Sequence, residues 1–291
     1  MLKKKLKNQR KTLKKAKEDI KKVYQYCKER LNGFEEGELE AKYIVSHVLN
    51  IGLNDIFLKK HLKVSSLSLF KIKRMLKRRL SGMPIQYVLG ITEFYGYDFF
   101  CDKRALIPRS ETEMLCEKAL SLASNDDKLL DLCTGTGCIG ITLSKENPSL
   151  NVTCSDISSN ALRLAKKNNN HNSADVKLIR SDLFENIDEK FDVIVSNPPY
   201  INKKDYSVLS KKVLDFEPKN ALVSGVDGLD IIRKIIGQAK HRLCSGGNLL
   251  LEIGYDQKEK VISLLKENGY IDINTFSDYA NFDRIVIARR K

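Results

Sequence analysis

Along residues 1–80 apolar positions recur among lysines at helical spacing, and no proline occurs before Pro84. Leu39, Tyr43, Val45, Val48 and Leu49 approximate one amphipathic stripe; Ile72, Met75, Leu76 and Leu80 mark a second within the basic stretch 71–80. Gly33, Gly37 and Gly52 punctuate these helices, so a small all-helical domain is expected over 1–81. From 82 to 110 the pattern turns aromatic and β-branched, through Ile91, Thr92, Phe94, Tyr95, Tyr97, Phe99 and Phe100, with Gly90 and Gly96 at turn positions. That segment is expected to be a β-hairpin joining two domains. From 111 to 291 apolar runs and helical patterns alternate. Strands are expected at 128–133, 152–154, 176–179, 191–195, 248–253, 271–276 and 284–288, and helices at 139–145, 161–168, 231–243 and 257–267. The class is therefore α/β: a mostly parallel sheet of seven strands with helices on both faces. The short connection before the last strand predicts one antiparallel edge pair.

Composition narrows the field. With 42% hydrophobic and 30% charged residues the chain is neither disordered nor collagen-like. No run of 18 apolar residues occurs, so no membrane span is expected, and the N-terminus lacks the apolar core of a secretory signal. The seven cysteines form no CxxC pair and several sit in apolar runs, as reduced thiols of a cytoplasmic protein do. The four histidines show no metal spacing, so no metal is expected. The formal net charge is +14; residues 1–30 carry +10, residues 31–80 a further +5, and the rest of the chain is near neutral. The basic excess thus belongs to the helical domain. It suits recognition of an acidic partner surface, and equally a solvated helical face.

In such sheets ligands bind beyond the carboxyl ends of the strands, and the unusual residues fall there. The first strand runs through Asp131 into Cys133, Thr134, Gly135, Thr136 and Gly137, where glycines let the backbone approach a ligand at a helix N-terminus. The spacing is not the GxGxxG of dinucleotide folds, and a carboxylate at Asp131 suits a cationic ligand better than a pyrophosphate. Asp156, about 20 residues past the glycines, can accept both hydroxyls of a ribose, and Asp182 an adenine amino group. Asp at a strand end also caps the following helix, so the case rests on the set. Asn197-Pro198-Pro199-Tyr200 ends the fourth strand. Two prolines stiffen the turn and present the Asn197 side-chain oxygen and the Pro198 carbonyl beside the flat face of Tyr200. Two acceptors and an aromatic wall suit a planar NH₂-bearing group, an amide or a nucleobase.

These residues resemble a class I S-adenosylmethionine-dependent methyltransferase with the NPPY motif. Gly82-Met83-Pro84-Ile85-Gln86-Tyr87 with Gly90, Glu93-Phe94-Tyr95-Gly96, and Leu106-Ile107-Pro108-Arg109-Ser110-Glu111-Thr112-Glu113 are similar to segments of the release-factor glutamine methyltransferases, the HemK/PrmC family. Ser181-Asp182-Leu183-Phe184, Glu217-Pro218 and Asp227-Gly228-Leu229 also fit, and the likeness covers essentially the whole chain. Two residues depart from the pattern. Cys133 stands at the first glycine of the family's GTGTG loop, which a thiol fits unless that position needs positive φ; Ser110 stands where proline is usual.

The resemblance implies a Rossmann-like class I methyltransferase domain over 111–291. It implies S-adenosyl-L-methionine as cofactor, S-adenosyl-L-homocysteine as product, and peptide-chain release factors as protein substrate. Cofactor binding falls to Asp131, Cys133, Thr134, Gly135, Thr136, Gly137, Asp156, Asp182, Leu183 and Asn197; substrate binding falls to Asn197, Pro198, Pro199 and Tyr200, and catalysis to Asn197, Pro198 and Tyr200. The expected reaction methylates the amide nitrogen of the glutamine in the Gly-Gly-Gln loop of release factors. The main rival is a methyltransferase acting on an exocyclic amine of a nucleobase, which a basic N-terminal domain would also serve; direct nucleic-acid binding is not required by the first reading. A degenerate, non-enzymatic fold would have lost the loop or the NPPY turn, and a dehydrogenase would have a different glycine spacing. Nothing in the sequence demands a dimer.

Overall fold

The structure, a computed structural model, describes residues 18–209 and 211–291. The chain divides into two compact units between Leu89 and Gly90. The lysine-rich start, to which most of the expected basic recognition surface was assigned, lies outside the described residues up to position 17.

The first unit is helical: α1 (Ile20–Leu31), α2 (Gly37–Leu49), α3 (Asp55–Leu58), α4 (Ser66–Leu80) and α5 (Ile85–Leu89). Asp19 and Ser65 cap α1 and α4, accepting the amides of Lys22 and Ser68 at 2.9 and 3.0 Å. Val23, Cys27, Leu31, Ala41, Ile44, Ile72 and Leu76 form the core. The α2 stripe is rotated from the one expected. Glu40, Ala41, Ile44 and Val45 face inward, while Leu39 and Tyr43 are only half-buried. A glutamate sits on the buried face because Arg79 neutralises it, with Nε and Nη2 at 2.7 and 2.8 Å from the two carboxylate oxygens. The same guanidinium stacks over the Phe34 ring. Arg78 donates to the carbonyls of Tyr87 and Val88, so α5 is tied to α4.

The second unit opens with the hairpin β1 (Ile91–Phe94) and β2 (Tyr97–Phe100), turned at Tyr95 and Gly96, both at positive φ. The expected joining segment of 82–110 is therefore divided: 85–89 is helix in the first unit, and the hairpin belongs to the second. Phe94 and Phe99 are buried in the second unit's core and meet edge to face at 6.0 Å.

Seven strands follow: β3 (Lys128–Leu132), β4 (Asn151–Asp156), β5 (Val176–Arg180), β6 (Phe191–Ser196), β7 (Leu243–Glu252), β8 (Tyr270–Ser277) and β9 (Asp283–Arg290). Their order is β5-β4-β3-β6-β7-β9-β8; the first five are parallel, and β9 runs antiparallel to both β7 and β8. The helices are α6 (Glu113–Leu122), α7 (Cys138–Glu146), α8 (Ser159–Asn172), α9 (Lys203–Val208), α10 (Lys211–Phe216), α11 (Asp230–Arg242) and α12 (Lys258–Glu267). Alternate strand residues enter two cores. Leu130, Leu132, Ile194, Leu249 and Leu251 pack under Ile232, Ile235 and Ile236 of α11 and Val261 and Leu265 of α12. Leu129, Val193, Val195 and Leu250 pack with Leu115 and Cys116 of α6 and Ile139 and Ile141 of α7. Both faces are covered, as a parallel sheet requires. The strand order reverses at β3, flanked by β4 and β6, and this switch point places the site.

Candidate active site

Beyond the carboxyl ends of β3, β4 and β6 lies a cavity of about 300 Å³ within the second unit. Nine of the expected site residues line it: Cys133, Thr134, Gly135, Thr136, Asp156, Asp182, Leu183, Asn197 and Pro199. Asp131, Gly137, Pro198 and Tyr200 are not on the lining.

Asp131 is fully buried. Its Oδ2 accepts the Thr134 hydroxyl and the amide of Gly140, while Oδ1 has no hydrogen-bond partner. Burial pushes its pKa up to about 7 against the lowering effect of those two donors. The expected carboxylate facing a cationic ligand is thus corrected: the group braces the loop from behind. Gly140 makes this possible, because a Cβ there would overlap Cys154 Sγ and the Asp131 side chain. Cys133 has φ 63, Gly135 φ 56 and Gly137 φ 84, so the cysteine occupies a position that favours glycine. Gly137 caps α7 rather than meeting the cavity.

Asp156 ends β4 with each oxygen holding one backbone amide. Oδ2 accepts Gly135 N–H at 2.9 Å and Oδ1 accepts Ser158 N–H at 2.8 Å. Each carboxylate oxygen keeps a second lone pair for a ligand hydroxyl. Burial raises its pKa, and the two amides oppose that. Ser155 next to it is also on the lining, and its buried Oγ has no hydrogen-bond partner among the described residues. Asp182 is exposed at the cavity, and Leu183 beside it is buried at positive φ.

Asn197 directly follows β6 at the wall. Its Nδ2 donates to Thr112 Oγ1 at 3.1 Å, Thr112 Oγ1 donates to Glu252 Oε2 at 2.7 Å, and the Tyr200 hydroxyl donates to Glu252 Oε1 at 3.2 Å. Tyr200, off the cavity lining, packs its half-buried ring against the α11–α12 core, and its hydroxyl anchors the turn to β7. Arg109, also on the lining, sends Nη2 to both oxygens of buried Glu217 at 2.6 and 2.8 Å. That ion pair ties the 104–109 wall to the segment after α10.

Thr112, Glu252 and Asn168 were not expected. Asn168 is buried in α8; it accepts Phe100 N–H at 2.7 Å and donates to the carbonyls of Phe100 and Thr136 at 3.0 and 2.8 Å. A polar residue in the apolar stripe Ala161, Leu164, Ala165, Asn168 is the signal that could have found it. For Glu252 the signal is an acid directly after the run Leu249-Leu250-Leu251 in an otherwise apolar strand.

A parallel sheet with this switch point, a glycine-bearing loop and an acid at the end of the next strand is the frame of an adenosine-type cofactor site. A methyltransferase from Pyrococcus furiosus is similar in structure, with a TM-score of 0.52 at 18% identity, over 67% of this chain and 90% of that one. The methyltransferase small domain matches residues 110–227, and the PrmC N-terminal domain matches residues 22–90. The release factor glutamine methyltransferase of Clostridium acetobutylicum is 36% identical over 283 residues, 95% of this chain and 99% of its own length. That of Neisseria gonorrhoeae is 41% identical over 219 residues, 74% of this chain and 80% of its own. The chain belongs to the release factor glutamine methyltransferase family.

Proposed function

We propose that this chain transfers a methyl group from S-adenosyl-L-methionine to the side-chain amide nitrogen of the glutamine in the Gly-Gly-Gln loop of peptide-chain release factors. The observation that carries the reading is the meeting, in one cavity, of Asp156 with free lone pairs, the 133–136 loop and the Asn197 amide. Asp156 would accept the two ribose hydroxyls, and Asp182 would accept the adenine amino group beside Leu183. Asp131 and Gly137 shape the loop from behind. When bound, the cofactor supplies a methyl on a sulfonium and leaves as S-adenosyl-L-homocysteine, so no side chain need become covalently attached.

An amide nitrogen is a poor nucleophile because its lone pair is delocalised into the carbonyl. The chain's task is therefore to orient it. Asn197 Oδ1 and the Pro198 carbonyl each accept one amide N–H and aim the face of the nitrogen at the methyl. Both acceptors bind more strongly as positive charge grows on nitrogen, which lowers the barrier selectively, and the cationic methylated nitrogen then releases one of its two protons to leave the neutral amide. Positioning of this kind is worth up to about 7–11 kcal/mol. Pro199 walls the cavity, and Tyr200 holds the turn in place through Glu252. The basic helical unit is assigned to recognition of the release factor.

The test incubates purified protein and release factor with methyl-labelled cofactor, with total RNA as a parallel acceptor. Mass spectrometry is expected to find one added methyl on the loop glutamine; label in RNA instead would favour the nucleobase reading. Asn197→Ala should remove most of the turnover while cofactor affinity stays within about tenfold, or ~1.4 kcal/mol. Near-normal turnover of that variant refutes the mechanism.

A further inference from the structure

We propose that Thr112 and Glu252 are positioning residues that hold the Asn197 amide with its oxygen toward the cavity, and so restrict the site to groups that donate N–H bonds. The inference deepens the function proposed above and rests on it. It follows from counting protons. Glu252 is buried at 3% exposure and accepts from two hydroxyls, one on each oxygen. Tyr200 keeps its proton, since burial and the nearby Glu252 charge hold its phenol well above the ordinary range, so it acts as donor. Thr112 has a single hydroxyl proton, and that proton goes to Glu252. What remains at Thr112 is an acceptor. The Asn197 group 3.1 Å away must then be the NH₂.

Turning the amide over would set its oxygen against a hydroxyl that has no proton left to give, and a buried acceptor pair is costly. The orientation is thus dictated by the network rather than by the shape of the side chain. Among the described residues none donates to Asn197 Oδ1, so it stands on the cavity wall as a free acceptor. A glutamine amide satisfies it. A glutamate carboxylate of the same shape meets it acceptor to acceptor. Burial raises the Glu252 pKa above its ordinary value, and Glu111 adds to the rise; the Thr112 and Tyr200 hydroxyls and the Arg284 charge favour the ionised form that the relay uses.

The experiment compares turnover of a release factor with inhibition by the same factor carrying Gln→Glu in its loop. For the wild type the Glu form should bind about 100-fold more weakly or worse, as buried polar sites reject a mismatched isostere. Thr112→Val removes both roles of the hydroxyl at constant shape. It should lower kcat about 10–100-fold, leave cofactor affinity within a few-fold, and cut the Gln-over-Glu discrimination at least tenfold. Thr112→Ser should restore both. If the valine variant does not fold, Glu252→Gln serves. Its NH₂ can donate to Thr112, whose proton is then released toward Asn197, so discrimination should fall in the same way. A loss of kcat with discrimination unchanged, or failure of serine to rescue, overturns the relay. No methylation by the wild type overturns the underlying function, and the relay with it.

Discussion

Asp131→Asn tests how the cofactor loop is braced. Asn has the shape of the carboxyl, can accept from Thr134 and Gly140 through Oδ1, and places its NH₂ where Oδ1 of the acid has no partner. It differs in carrying no titratable proton. The folded pKa of Asp131 is raised, from 3.8 to about 7, by burial. A carboxyl of this kind contributes stability that is complete below pH 3.8 and is lost as pH rises through 7, because the folded form holds a proton that the unfolded form has released. Each pKa unit is worth about 1.4 kcal/mol, so the wild type should lose roughly 2–3 kcal/mol from this group between pH 5 and pH 8. The asparagine variant should lose none of it. Thermal or urea unfolding of the full chain, cofactor-free, at several pH values measures the difference, and the subtraction removes every other titrating group. The gap should swing against the wild type by several degrees across that range, at about 2–4 °C per kcal/mol. Parallel stability curves for the two proteins would refute the reasoning.

Asp156→Ala should weaken cofactor binding about 10–100-fold by calorimetry, since a charged acceptor is worth roughly 1.5–3 kcal/mol; unchanged affinity counts against its assignment. Cys133→Gly relieves a left-handed residue at a cost of about 1–2 kcal/mol, offset by about 0.5–1 kcal/mol of added chain freedom. Its melting point should therefore stay near that of the wild type or rise slightly, and a loss above about 2 kcal/mol would show that the thiol matters for packing. Glu40→Ala leaves the Arg79 charge buried and unpaired, and should cost about 3–5 kcal/mol in urea unfolding, with Glu40→Gln milder.

Much of the second unit was legible because parallel strands are buried on both faces and read as apolar runs. Each such run stopped at a polar residue, so Asp156 and Asn197 could be placed at strand ends before any coordinates. The chain was harder to read where local pattern and tertiary role part. Residues 85–89 look like strand by composition, yet Pro84 begins a turn of helix whose carbonyls Arg78 holds. The strand β7 begins at Leu243, five residues before the expected start, because the pairing with β6 shifts register between Phe191 and Val193 and carries the polar, glycine-containing segment along. At the site, Asp131 stood in the right place with the wrong orientation. Burial is a property of what covers a residue, and Gly140 and Cys154 come from other elements. Thr112 and Glu252 were invisible as a pair, since 140 residues separate two side chains that share one proton.

The same separation bears on how the protein is made. Chains leave the ribosome N-terminus first, at about 5–20 residues per second, and domains generally fold as units. The hairpin strand β2 is complete long before Asn168, 68 residues later, arrives to hold Phe100. Asn197 emerges with Thr112 already present, but the carboxylate that takes up the threonine proton comes only with β7. Until β7 is made the relay lacks its proton acceptor, so the polarity of the wall is set only with the completed sheet.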